Sequence, residues 1–154
     1  MDASQAQQVL NKLQQLCSRQ EKCTADIIDY FYKHKVPSEF HKTILTRLKD
    51  DKFIDEKRYA SAVVKDKFRL NRWGKIKIRY FLISKKIPVI IIDDAIGSID
   101  DTEYRNTVSG ELRKKALSFQ GKEPEVVLLK LIQFAASRGY EEEMVREIWN
   151  QKHY

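Results

Sequence analysis

Arg58, Lys65, Lys67, Arg69, Arg72, Lys75, Lys77 and Arg79 fall within one short stretch, and Lys85 and Lys86 follow closely. Cations crowded in this way break no bonds. They can track phosphates or an acidic groove and release counterions. If a helix runs from Gly74, Lys75 and Arg79 stand at i, i+4 and share a face opposite Ile78, Phe81 and Leu82. Arg72 lies one turn before. Trp73 sits inside the block and suits either stacking on a base or filling a gap between helices.

The charge is uneven along the chain. Residues 55–86 carry eleven basic and three acidic residues, net +8, whereas residues 1–54 are net +2 and residues 87–154 net −3. A charge run most often makes only a solvated helix face. The local excess points further, to an acidic partner.

Other chemistry is poorly provided for. Asp50-Asp51, Asp93-Asp94 and Asp100-Asp101 are paired carboxylates, but each pair lies at an expected helix end without a ligand-rich loop. His34, His41 and His153 are scattered. Cys17 and Cys23 stand at C-x5-C, which matches no common zinc pattern, and read as reduced, packed thiols. There is no Gly-rich phosphate loop, nucleophile elbow or H-E-x-x-H. No catalytic residue, metal or cofactor is therefore expected, and an enzyme is a poor reading.

The elements that must position the block read as helices. The 154 residues are 42% hydrophobic and 33% charged, with only 5 Gly and 3 Pro, which favours helices over a turn-rich β fold. Apolar stripes at helical spacing occur at Val9, Leu10, Leu13, Leu16 and Cys17, at Ile27, Ile28, Phe31 and Tyr32, and at Phe40, Ile44, Leu45 and Leu48. They recur through Tyr59–Phe68, Ile76–Ile83, Tyr104–Ala116, Val127–Ala135 and Met144–Trp149. Thr24, Ser38, Asp55 and Asp100 are cap candidates. Trp73-Gly74 reads as a helix break, because Gly is a poor interior residue. Pro88–Ile99 has strand propensity but also a helical face of Ile91, Ile92, Ala95, Ile96 and Ile99, and helix is the choice. Trp149 and Tyr154 read as packing and tail.

The nine helices fall into threes. Lys35-Val36-Pro37 recurs 51 residues on as Lys86-Ile87-Pro88, with Ile27 matching Ile78, Tyr30 matching Phe81 and Leu48 matching Ile99. A third copy follows at an offset of 53, where Gly139-Tyr140 replaces Lys86-Ile87, and Ile78 and Phe81 meet Leu131 and Phe134. The expected architecture is all-α: three tandem three-helix repeats, 1–54, 55–100 (basic) and 101–154 (acidic), in an elongated, curved array. A monomer is expected. The start has no basic, apolar leader, and Val89-Ile90-Ile91-Ile92 is the longest aliphatic run, far short of the ~18 residues of a membrane span. A cytoplasmic protein without membrane contact is expected.

Three stretches resemble the RecX family of bacterial recombination regulators. Phe53-Ile54-Asp55-Glu56-Lys57-Arg58-Tyr59-Ala60 resembles its (I/L)-D-D-x-(R/K)-(F/Y)-A segment. Arg72-Trp73-Gly74-Lys75-Ile76-Lys77-Ile78 is similar to its R-x-G-x-x-(K/R)-I, and Ser137-Arg138-Gly139-Tyr140 to its R-R-G-(F/Y). Glu56 replaces the second Asp, and Lys35 and Lys86 stand where Gly often precedes the aliphatic residue. The resemblance covers nearly the whole chain. It implies a modular arch that binds the groove of the RecA–single-stranded-DNA filament and inhibits strand exchange and ATP hydrolysis, in DNA repair, recombination and the SOS response, with no catalytic centre. A stand-alone helical nucleic-acid-binding protein and a helical interaction scaffold are the rival readings.

Overall fold

The computed structural model describes residues 1–152; His153 and Tyr154, the expected tail, lie outside the described residues. Among the described residues the regular structure is entirely helical. The elements are α1 (Ala3–Arg19), α2 (Thr24–Lys33), α3 (Ser38–Asp50), α4 (Glu56–Arg69), α5 (Lys75–Ser84), α6 (Val89–Gly97), α7 (Asp101–Ala116), α8 (Pro124–Arg138) and α9 (Glu142–Lys152). A short 3-10 turn, Leu117–Phe119, follows α7. Pro88–Ile99 is helical, with Pro88 at the N-cap and Ile92, Ala95, Ile96 and Ile99 buried. No helix among the described residues is long and apolar enough to cross a membrane.

Caps made by nearby side chains follow the sequence. Asp55 accepts from the Arg58 N–H and Asp100 from the Glu103 N–H. Thr24 and Ser38 do not cap: each is the first helical residue, behind Cys23 and Pro37. Thr24 instead donates its N–H and hydroxyl to Glu56 of α4, at 3.0 and 3.1 Å. A carboxylate from another helix thus meets the positive end of α2.

The helices pack in threes. α1 and α2 rest on α3, α4 to α6 pack on one another, and α7 to α9 do the same. The first group has its own core of Leu10, Leu13, Cys17, Ile27, Phe31, Val36, Ile44, Leu48 and Ile54. The other two groups share one continuous core from Tyr59 to Ile148, and Trp149 packs against it. A compact monomer of this mass exposes roughly 8,100 Å². This chain exposes 9767 Å², as an elongated array should. Cys17 and Cys23 are buried and free, and burial pushes the Cys23 thiol up to about 11.

The turns between second and third helices repeat in backbone conformation. Lys35, Lys86 and Gly139 all adopt left-handed φ, at 53°, 59° and 85°. The lysines take a conformation that costs an L-residue about 1 kcal/mol, and only the third copy carries the residue suited to it.

The second and third groups meet at two glycines. A Cβ on Gly74 would fall 2.2 Å from the Gly139 carbonyl oxygen, and one on Gly139 only 2.3 Å from the Lys77 Cβ. The break expected at Trp73-Gly74 lies between α4 and α5, and Gly74 is the N-cap of α5 at a backbone-to-backbone contact. Its N–H donates to the Arg138 carbonyl (2.6 Å), and the Ile76 N–H to the Gly139 carbonyl (3.1 Å). Orphan donors at the start of α5 thus satisfy orphan acceptors at the end of α8. Gly74→Ala is expected to cost about 3 kcal/mol by overpacking, lowering Tm by roughly 6–12 °C. Gly110→Ala, on α7 with nothing within 4 Å of the new Cβ, should instead stabilise by about 0.5–1 kcal/mol. Thermal and urea unfolding of the two variants check both signs.

Candidate nucleic-acid interface

Most of the basic block is neutralised by carboxylates that come from elsewhere in the chain. Arg58 meets Glu21 at 2.7 Å and donates to the Lys52 and Phe53 carbonyls, binding the first group to the second. Arg69 faces Glu103 of α7 at 3.6 Å. Arg72, outside any helix and at φ 55°, faces the buried Glu111 at 3.5 Å. Lys75 lies 3.9 Å from Asp101 and 4.6 Å from the Tyr104 ring centroid. Arg79 pairs with Asp93 of α6 at 2.5 Å. Lys75 and Arg79 do share a side of α5, but it faces the starts of α6 and α7. The expected free row of Arg72, Lys75 and Arg79 is therefore a set of ion pairs that tie α5 and the loop before it to α6 and α7.

Two of the unneutralised lysines gather round Trp73. Lys67 reaches across from α4 and stands 4.7 Å from the Trp73 ring and 5.0 Å from Phe81. Lys77, from the first turn of α5, lies 4.5 Å from the same indole and donates to the Ser137 carbonyl at 3.2 Å. Trp73 and Phe81 meet edge to face at 6.0 Å. Among the described residues no carboxylate pairs with Lys67, Lys77 or the exposed Lys65. Trp73 is half-buried against the core, so its packing and its surface roles coincide. The Glu21–Asp26 segment borders this face, where Lys85 bonds Asp26 at 2.7 Å.

A second cluster of the same make lies on the third group, which sequence charge marks as acidic. Lys115 and Lys130 stand 5.8 and 5.6 Å from the Phe119 ring, and Lys115 and Arg138 stand 5.5 and 5.1 Å from Phe134. The 53-residue offset that relates Phe81 to Phe134 also relates Lys77 to Lys130 and Lys85 to Arg138. That register could have pointed to Lys130, Phe134 and Arg138, though not to Lys115 or Phe119; net charge by segment hid them all. Among the described residues no group of His, Cys, Asp and Glu could hold a metal ion.

Known proteins are similar to this chain in fold and, in part, in sequence. Residues 55–96 match the family described as RecX, second three-helix domain. The chain is 27% identical to the regulatory protein RecX of Streptococcus gordonii over 80% of this chain and 47% of that one. It is 31% identical to that of Clostridium botulinum over 66% of this chain and 48% of that one. The chain thus spans about half the length of these curated relatives. A RecX crystal structure superposes with a TM-score of 0.87 at 22% identity, over 96% of this chain and 74% of that one. RecX from Lactobacillus salivarius gives 0.86 at 19%, over 97% of both chains.

The Asp26–Lys85 pair carries a pH signature. Burial pushes the Asp26 carboxyl up, but the Lys85 ammonium and the Cys23 N–H outweigh it and hold the carboxyl below its usual range. A lowered folded pKa gives stability that is present above the unfolded value, about 3.9, and is lost as pH falls through the folded value. Asp26→Asn should destabilise by about 1 kcal/mol at pH 7, and the difference should narrow on acidification to a pH of about 2, under the unfolded value. Urea unfolding at the two pH values checks it.

Proposed function

We propose that this chain, whose residues 55–96 match the RecX second three-helix domain, is a RecX-family regulator that acts on a RecA recombinase by binding the RecA–single-stranded-DNA filament. It damps strand exchange and ATP hydrolysis there, without turnover of its own, in the cytoplasm and in the service of DNA repair and recombination. The observation that carries this reading is the convergence of Lys67 and Lys77 on one aromatic face with no carboxylate partner. Uncompensated ammonium groups side by side repel, and an anion laid between them removes that cost. An elongated array supplies the length that a filament groove demands.

On this reading the nine basic-block residues divide their work. Lys67, Trp73 and Lys77 form the contact surface, and Lys65 is an exposed charge on another side of α4. Arg58, Arg69, Arg72, Lys75 and Arg79 hold helices in place through their ion pairs. The repeats 1–54, 55–100 and 101–154 serve as the units of the arch, and the chain acts as a monomer.

Titrating the protein into a RecA strand-exchange reaction should reduce joint-molecule formation and filament ATPase together. Lys67→Glu/Lys77→Glu should abolish most of that effect, with circular dichroism establishing that the variant, altered at two partly exposed lysines, is folded. Lys42→Glu/Lys49→Glu, the same charge change on α3, should inhibit like the parent. Unchanged strand exchange and ATPase across a wide titration of the parent would reject the function, and equal losses in both variants would reduce the site to bulk charge.

A further inference from the structure

The two cation–aromatic clusters correspond element by element, with Lys77 and Lys130 at the 53-residue offset. Each takes a lysine from the first helix of its group (Lys67, Lys115) and an aromatic from the following loop or turn (Trp73, Phe119). Each adds a lysine from the second helix (Lys77, Lys130) above that aromatic. The clusters also abut. Lys77 donates to the Ser137 carbonyl, next in sequence to Arg138, whose guanidinium covers Phe134. The Gly74–Gly139 contact sits at this meeting point.

We infer that the two clusters form one continuous strip that takes the sugar–phosphate backbone of a single nucleic-acid strand, and that Lys115 and Lys130 are its second set of phosphate contacts. The inference rests on the reading of Lys67 and Lys77 above and extends it to the third group. Among the described residues neither Lys115 nor Lys130 has a carboxylate partner. Their stems lie along the rings, which holds the ammonium groups in place and lowers the entropy lost on binding. Half-buried aromatics beside a row of cations favour a strand with bases over a smooth acidic protein face.

The test is anisotropy of a labelled oligothymidylate strand with the full chain, at several salt concentrations. Lys115→Gln/Lys130→Gln should lower the slope of log affinity against log salt by about 1.4, as should Lys67→Gln/Lys77→Gln, and the combined variant by about 2.8. Circular dichroism establishes that each variant is folded. Lys115→Met/Lys130→Met keeps the apolar stems over Phe119 and should give the same slope if glutamine disturbs packing. A parental slope in both third-group variants, with the Lys67/Lys77 variant reduced, overturns the inference and leaves the proposed function standing. A parent that inhibits strand exchange yet ignores the bare strand also overturns it, and assigns the strip to an acidic protein surface. A parent that does neither overturns both.

Discussion

Two backbones without side chains touch at Gly74 and Gly139, and the geometry of the basic face depends on that contact. Helix ends normally leave donors and acceptors to water. Here the start of α5 is laid against the end of α8, so each supplies what the other lacks. The Lys75 N–H takes a third acceptor, the Tyr104 hydroxyl, which itself donates to Glu141. The Tyr140 hydroxyl closes the arrangement on the Arg72 carbonyl. Burial pushes the Tyr140 phenol up to about 12, so it stays a donor through the physiological range. α5 is thus pinned at its first turn, from which Lys77 lies over Trp73.

The same joint explains how so basic a segment becomes selective in what it exposes. Glu111 is buried and faces Arg72, Arg138 and Lys114 together. Around it positive charge is spent on architecture, as an ion pair between neighbouring helices is more useful for orientation than for stability. Lys67 and Lys77, which have no carboxylate, instead lie on an aromatic ring. Ring and ammonium attract each other, so a lysine without a carboxylate still has a fixed position.

The sequence made some of this legible and concealed the rest for physical reasons. Helices were readable because apolar spacing is local, and even Pro88–Ile99, with its strand propensity, followed its one-sided face. Asp55 and Asp100 were readable as caps because donor and acceptor are three residues apart. Thr24 was misread because its partner, Glu56, lies 32 residues away. Gly74 was readable as a break but not as a contact, because nothing nearby in sequence announces Gly139. The basic block looked freer than it is because Asp93, Asp101, Glu103 and Glu111 all follow it in the chain and fold back on it.

The two cores have unequal joints. The second and third groups share buried apolar side chains across their boundary. The first group is fastened mainly by Arg58–Glu21, Lys85–Asp26 and Glu56 on Thr24, with Cys23 inserted into the neighbouring core. Polar fastenings of this kind are worth little each and weaken with salt. Helices α1 to α3 therefore form a separate foldon, able to open while the remainder keeps its structure. Amide hydrogens of Leu13 and Phe31 will exchange through that partial opening, whereas those of Ile78 and Leu131 wait for the shared core to give way. A single melting temperature for this chain would average two events, and would describe neither.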